Sequence, residues 1–196
     1  MRISWDDYFM DMAYLVATRA TCSRRHVGCV LVKDRRVLAT GYNGSMPGQP
    51  HCDDAGHFYM NGEENGCQRT NHAEASAIAF AAKFGVSVDG ATCYVTTMPC
   101  YTCAKLLIMA GIKRIVFHDK YRFDEKFQKE LVKQSQVDWA WLAFYQAAEE
   151  RTETKAVQMQ KYLAAKREAA QEESGEASFE DSKLLPLPVG DAGHEK

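Results

Sequence analysis

The 196-residue sequence contains no run of apolar residues that approaches the roughly 18 needed for a membrane-spanning helix. Its first seven residues, Met1 to Asp7, include no apolar core of a secretory signal. A formal net charge of -2 provides no general attraction for polyphosphate, which argues against a nucleic-acid partner. We therefore expect a cytoplasmic protein with neither a membrane nor a nucleic acid as its partner.

The sequence does contain seven cysteines, and this odd number excludes complete pairing within the chain. Without an export signal, metal ligation or burial is the more common use of cysteine. Cys29 and Cys93 lie inside apolar, β-branched segments and are expected to be packing residues of the core. The other five remain candidates for chemistry.

The pattern of apolar residues changes from a helical to a strand period along the first third of the chain. It predicts a helix over about 5–20, with Ser4 as N-cap, and then a hairpin of strands at 26–32 and 37–42. The following stretch, 41–66, has six glycines and the composition of a loop. A loop of this length in a compact domain needs a function or an internal staple.

Helices and strands then alternate. We predict helices at 72–83 and 99–110, each followed by a strand, at 91–97 and 112–118. Such alternation is typical of parallel strands with helices on their faces. The expected fold is a three-layer α-β-α sandwich around a mixed sheet.

Two short motifs lie at the predicted helix starts. His72 opens one helix, and Cys100 and Cys103 occupy the first turn of the next. One imidazole and two thiolates form a three-ligand zinc set with a fourth position open, as in catalytic zinc sites. Glu74 lies two residues after the histidine, close enough to move protons. A purely structural zinc site is the alternative, although it has no need of this carboxylate.

Hydrolytic deamination follows from this set of residues. Zinc lowers the pKa of bound water towards about 7, so that hydroxide can attack a ring carbon that carries an amine. Glu74 is the predicted catalytic residue, since it can accept the proton of the water, pass it to a ring nitrogen and then protonate the leaving amine, so that ammonia departs and a carbonyl remains.

The motifs His72-Ala73-Glu74 and Pro99-Cys100-x-x-Cys103 resemble those of the cytidine deaminase-like superfamily. Gly41-Tyr42-Asn43-Gly44 and the segment 90–96 are similar to deoxycytidylate (dCMP) deaminases, including the bacterial competence-associated form. The resemblance covers about three fifths of the chain. It implies a mixed five-stranded sheet, hydrolysis of dCMP to dUMP and ammonia for thymidylate synthesis, and a homo-oligomer, either a hexamer or a dimer.

The resemblance also implies roles for individual residues. Asn43 and Ala73 are expected to contact the nucleotide and its base, and Tyr121 the phosphate. Gly44 and Lys83 are expected to take part in a response to the effectors dCTP and dTTP, with Mg²⁺ accompanying these nucleotides. Read without the resemblance, Asn43 is a turn residue, Tyr121 a half-buried aromatic and Lys83 a solvated helix end.

A second zinc is also implied by the resemblance, because four residues fall where several family members carry a structural zinc: Cys22, Cys52, His57 and Cys67. They would close a tetrahedral shell and order the loop over 41–66. His51 is a competing imidazole, and the alternative is a set of unrelated thiols and loop histidines.

Other substrates of the same chemistry stay open: free cytosine or guanine, a riboflavin precursor, or adenosine in tRNA. The tRNA alternative requires a basic surface with interleaved aromatics. The basic dipeptide Arg24-Arg25 and the run 33–36 are interpreted instead as solvated turns. A non-enzymatic zinc module is the alternative from another class, and Glu74 argues against it.

For the domains, we expect a zinc-dependent deaminase domain over 1–145, a charged helical extension over 146–172 and a disordered tail over 173–196.

Overall fold

The computed structural model describes residues 2–59, 66–120, 130–133 and 135–143. All of them belong to the first of two compact units, Met1–Ala148. Tyr121, the predicted helical extension and the predicted tail lie outside the described residues, so the domain boundaries stay a prediction. No helix in the described ranges is both long enough and apolar enough to cross a membrane, and the cytoplasmic location also stays a prediction.

Four helices and seven strands are described here. The helices are α1 (Trp5–Ala17), α2 (Cys52–Ala55), α3 (Ala73–Lys83) and α4 (Tyr101–Met109). The strands are β1 (Gly28–Lys33), β2 (Arg36–Tyr42), β3 (Gly44–Ser45), β4 (Thr70–Asn71), β5 (Thr92–Thr97), β6 (Arg114–Asp119) and β7 (Asp138–Trp141). The segment expected to be a loop thus contains β3 and α2.

Five of the strands form one mixed sheet in the order β2-β1-β5-β6-β7. β1 pairs antiparallel with β2 and β5, whereas β5–β6 and β6–β7 are parallel. This confirms the expected hairpin followed by parallel strands. The apolar pattern alone did not identify β7, because it has only four residues and none of them is fully buried. β3 and β4 form a separate pair.

The two faces of the sheet carry different helices, which confirms the α-β-α layers. α1 packs on one face through a cluster that includes Phe9, Met10, Val30 and Val116. Residues of α3 and α4 pack on the other face, where they join Leu31 of β1 in a second cluster. Because successive strand residues point to opposite faces, Val30 and its neighbour Leu31 serve different cores.

Two glycines allow the helices to approach the hairpin closely. A Cβ atom on Gly28 would overlap the carbonyl oxygen of Ala13 in α1, and one on Gly41 would overlap that of Ala73 in α3. Since Ala73 begins α3, the contact with Gly41 sets where this helix starts on the sheet. The start of α3 also carries the His72-Ala73-Glu74 motif.

An ion pair fixes the start of α1 to the sheet. Ser4 caps this helix by accepting a hydrogen bond from the Asp7 amide at 3.0 Å, as predicted. The guanidinium of Arg114 donates to both carboxylate oxygens of Asp6 at 2.7 and 2.8 Å. The Tyr94 hydroxyl donates to the same carboxylate at 2.8 Å. The pair joins α1, β5 and β6 at one point.

The expected burial of Cys29 and Cys93 is confirmed. Both side chains are fully buried, and their Sγ atoms lie 3.5 Å apart in the core between the sheet and α3. Within the described residues, neither belongs to a group of side chains that can hold a metal.

Candidate metal and active site

Two helix starts bring the first group of predicted ligands together. His72 is the N-cap of α3 and Cys100 is the N-cap of α4, and neither uses its side chain to cap its own helix. Cys103 lies one turn into α4. The imidazole and both thiols therefore face one another, and their ligand atoms all lie within 4.8 Å.

The distances in this group fit a zinc ion. In tetrahedral zinc sites the metal lies about 2.3 Å from sulfur and about 2.0–2.1 Å from nitrogen, which places neighbouring ligand atoms about 3.4–3.8 Å apart. His72 Nδ1 lies 3.5 Å from Cys100 Sγ and 3.4 Å from Cys103 Sγ. Three protein ligands leave the fourth position free, which is the donor set of a catalytic site.

Hydrogen bonding within the group favours a thiolate. The contact with Cys103 is the main cause that lowers the pKa of Cys100 to about 4, and the hydrogen bond with His72 acts in the same direction. The same contact, together with burial, raises the pKa of Cys103. The pKa of His72 is raised chiefly by its hydrogen bond with Cys100. One ionised sulfur is therefore already favoured by the protein itself.

Glu74 lies beside the three ligands in the first turn of α3. Its side chain is only 4% exposed, and burial raises its pKa to about 7. A carboxyl group with a pKa in this range both accepts and releases protons near neutral pH. The arrangement supplies a proton carrier next to a metal-binding position.

A cavity of about 770 Å³ opens over this group. His72, Ala73, Glu74 and Cys100 lie on its wall, and Asn43 joins them from the turn between β2 and β3. Its size is that of a pocket for a small organic ligand. The cavity wall therefore brings these four predicted site residues together with Asn43.

Three cations on the cavity wall were not among the predicted site residues: Arg24, Arg25 and Lys120. Sequence analysis interpreted the two arginines as solvated turn residues, and Arg24 is indeed an exposed turn residue, whereas Arg25 is half-buried. Lys120 is exposed. A doublet of arginines shortly before a strand was the available signal, but its place on the same cavity wall as Glu74 depends on how the loop folds.

Asn43 is 7% exposed and braces the loop that carries the arginines. Its Oδ1 accepts a hydrogen bond from the Val27 amide at 2.7 Å, and its Nδ2 donates to the Arg25 carbonyl at 2.8 Å. Each end of the carboxamide retains one further hydrogen-bonding position. Asn43 can therefore hold the loop and still contact a ligand in the cavity.

The second group of predicted ligands also comes together. The ligand atoms of Cys22, Cys52 and His57 lie within 4.8 Å of one another. Cys67 joins them through its Sγ, 3.6 Å from that of Cys52. Burial opposes ionisation of Cys67, but hydrogen bonds from the backbone amides of Phe58 and Arg69 lower its pKa to about 6.

The two predicted effector residues lie in different environments. Gly44 is buried in β3, where it pairs with Asn71. Lys83 is the last residue of α3, and its ammonium group lies 5.7 Å from the centre of the Phe84 ring. Within the described residues, neither belongs to the cavity wall.

Comparison with known proteins agrees with this arrangement. Residues 3–119 match the family model for the cytidine and deoxycytidylate deaminase zinc-binding region. ComE operon protein 2 of Bacillus subtilis is 45% identical over 69% of this chain and 70% of its own length. The deoxycytidylate deaminase of Schizosaccharomyces pombe is 42% identical over 63% of this chain, but the match spans only 39% of that enzyme.

A solved structure shows the same fold. The dCMP deaminase of cyanophage S-TIM5, crystallised with dCMP and dUMP, superposes with a TM-score of 0.58 at 28% identity. The match covers 72% of this chain and 99% of the phage chain. Together with the family model, these similarities show that the chain belongs to the cytidine and deoxycytidylate deaminase family and carries its zinc-binding region.

Proposed function

We propose that this protein hydrolyses dCMP to dUMP and ammonia. The observation that carries the proposal is the burial of Glu74 beside the three-ligand group, at the wall of a cavity that also holds three cations. The cyanophage relative binds dCMP and dUMP, the substrate and product of this reaction.

A zinc ion held by His72, Cys100 and Cys103 would act as a Lewis acid and make water nucleophilic at neutral pH. The remaining steps belong to Glu74, whose carboxylate takes a proton from the water that adds to C4 of the cytosine ring. It delivers this proton to ring nitrogen N3, then takes the second proton of the added water from the hydroxyl group on C4 and passes it to the leaving amine. Ammonia departs, and a carbonyl stays on C4. Burial keeps the carboxyl group ready for both transfers.

Recognition of a nucleotide is supported by the cations. A 5′-phosphate carries up to two negative charges, and Arg24, Arg25 and Lys120 bring positive charge to the same cavity. A free base or a nucleoside has no need of them. We therefore favour a nucleoside monophosphate over cytosine, guanine or deoxycytidine.

Asn43 and Ala73 are proposed to contact the sugar and the base. Ala73 lies on the cavity wall as the first residue of α3. Its backbone amide is therefore among those that have no partner within the helix. Tyr121 is retained as a phosphate contact on the strength of the family resemblance, and it directly follows Lys120.

We also propose a structural zinc at Cys22, Cys52, His57 and Cys67. Their clustering supports it, since it brings together Cys22 from the segment between α1 and β1, Cys52 from α2, His57 just after α2 and Cys67 from the segment before β4. Cys22 and Cys67 also lie on the cavity wall. The second metal would thus hold the loop with Arg24 and Arg25 at the cavity.

A homo-oligomer is supported by exposed apolar side chains on α3 and α4 and just after α3. Phe80, Phe84, Leu106 and Met109 are 54%, 61%, 37% and 85% exposed. The Phe80 and Phe84 rings lie 4.7 Å apart, and exposed apolar patches commonly mark protein interfaces. Regulation by dCTP and dTTP through Gly44 and Lys83, with Mg²⁺, stays a prediction.

The test is a substrate panel. The purified full chain with zinc is expected to deaminate dCMP in preference to dCTP, CMP, deoxycytidine and cytosine. The reaction is measured as the loss of absorbance when the cytosine ring becomes uracil. Turnover of cytosine in place of dCMP would overturn the assignment of the substrate. No turnover of any compound in the panel would overturn the assignment as a nucleotide deaminase.

A further inference from the structure

An ion pair reaches one of the cavity cations from outside the cavity. Arg25 Nη2 lies 3.5 Å from Asp119 Oδ2, at the end of β6. Asp119 is not among the described residues that form the cavity wall. Its other carboxylate oxygen lies 3.5 Å from His118 Nδ1, which in turn lies 2.6 Å from the Tyr14 hydroxyl. The carboxylate is thus supported from the side of β6 and α1.

The backbone of Arg25 is also held in place. Its carbonyl oxygen accepts the hydrogen bond from Asn43 Nδ2 at 2.8 Å. The backbone and the guanidinium of Arg25 are therefore tied to two different elements, the turn after β2 and the end of β6. Arg24 has a different environment, because its guanidinium lies 5.8 Å from the centre of the Tyr59 ring.

We propose that Asp119 is a positioning residue that orients the Arg25 guanidinium towards the 5′-phosphate of the substrate. The inference rests on the proposed function and names a determinant of its specificity for nucleotides. A guanidinium carries five N–H donors, so one nitrogen can face Asp119 while others contact phosphate oxygens. Holding it in place before binding reduces the side-chain entropy that phosphate binding would otherwise cost.

The expected effect is small because the pair is partly open to solvent. The side chains of Arg25 and Asp119 are 40% and 42% exposed. Ion pairs of this kind typically change an equilibrium by about two- to fivefold. Repulsion between Asp119 and the phosphate would act in the opposite direction and lower the KM in Asp119→Asn, so the sign of the change in KM separates the two effects.

The test is a double-mutant cycle in the dCMP assay. Asp119→Asn keeps the shape of the side chain and removes its charge, so we expect the KM for dCMP to rise about two- to fivefold with kcat within twofold. Asp119→Glu keeps the charge and is expected to raise KM less. In an Arg25→Met background, Asp119→Asn is expected to have no further effect, because the group that it orients is gone.

Product inhibition separates positioning from a general structural effect. Inhibition by dUMP should weaken by the same factor as dCMP binding in Asp119→Asn, whereas inhibition by deoxyuridine, which lacks the phosphate, should not change. Asp89→Asn, an exposed carboxylate outside the described cavity wall, is the matched control. An unchanged or lower KM, an equal loss with deoxyuridine, or the same effect in the Arg25→Met background would overturn the inference. Failure of the wild type to deaminate dCMP would instead overturn the proposed function.

Discussion

The side-chain amide of Asn43 donates a hydrogen bond to the carbonyl oxygen of Arg25 at 2.8 Å, across 18 residues of sequence. The same side chain accepts a hydrogen bond from the Val27 amide at 2.7 Å. The turn after β2 thereby determines where the two arginines lie along the cavity. Replacing Asn43 is therefore expected to affect both the loop and the binding of substrate.

Asn43→Ala is predicted to lower stability by about 1–3 kcal/mol, because it removes two hydrogen bonds and leaves the Val27 amide without its partner. We also expect a rise in the KM for dCMP, since the arginine loop loses its brace. Thermal unfolding and steady-state kinetics check the two effects. Thr18→Ala, which removes an exposed hydrogen bond at the end of α1, is the control and should leave KM unchanged. A KM for Asn43→Ala equal to that of the wild type would contradict the prediction.

Glu74→Gln is predicted to lower kcat by about 10²–10⁴-fold or more while the protein retains its zinc. The amide has nearly the same shape as the carboxyl group but cannot carry the proton between water, ring and amine. Kinetics and metal analysis of one preparation provide both readouts. His72→Ala is the contrasting variant, since it should lose the catalytic zinc together with activity. A Gln variant within tenfold of the wild type would exclude Glu74 as the proton carrier.

Metal content tests the second group of ligands. The wild-type chain is expected to bind two zinc ions, and the double variant Cys52→Ser, Cys67→Ser one, because two of four ligands are lost. Cys29→Ala removes a buried thiol outside both groups and should retain two. One zinc in the wild type would rule out the structural site.

The approach of α3 to β2 offers a test of how the fold positions the site. Gly41→Ala is predicted to destabilise the protein by about 1–3 kcal/mol, because its Cβ overlaps the Ala73 carbonyl. The displaced start of α3 should also lower kcat. Gly28→Ala produces the same kind of overlap under α1 and should cost stability with little change in kcat. Equal kinetic losses in the two variants would contradict this account.

Acid stability depends in part on Asp6. Hydrogen bonds from Arg114 lower the pKa of Asp6, with a further contribution from Tyr94. A carboxyl group with a lowered pKa stabilises the fold above its unfolded pKa of about 3.9, and the stabilisation is lost as the pH falls through the folded pKa.

Asp6→Asn should therefore reduce stability near pH 7 by about 1–3 kcal/mol and flatten the loss of stability below about pH 4. Asp138→Asn is the control, because Asp138 pairs with the same arginine but is 66% exposed. Unfolding by urea between pH 3 and 7 provides the comparison. A variant whose stability falls as steeply as that of the wild type below pH 4 would show that Asp6 does not contribute.

Local sequence predicted the layers of the fold and the chemistry of one site. The positions of His72, Cys100 and Cys103 follow from helix starts, where short spacing places side chains on one side, and β5 with its parallel partner follows from alternating patterns. β7 did not follow from the pattern, because four half-exposed residues are too few for a clear period. The grouping of Cys22 with Cys52, His57 and Cys67 was available only through the family resemblance, and the roles of these residues remain predictions.

Local sequence is enough to place a histidine, two cysteines and a glutamate at neighbouring helix starts, because each motif is short and its geometry is that of a helix N-terminus. Which charges face them depends on the tertiary packing. Arg25 lies on the cavity wall with its carbonyl bonded to Asn43 and its guanidinium beside Asp119, two residues that are distant from it in sequence. Such contacts form only when distant parts of the chain pack together, so no local sequence pattern predicts them.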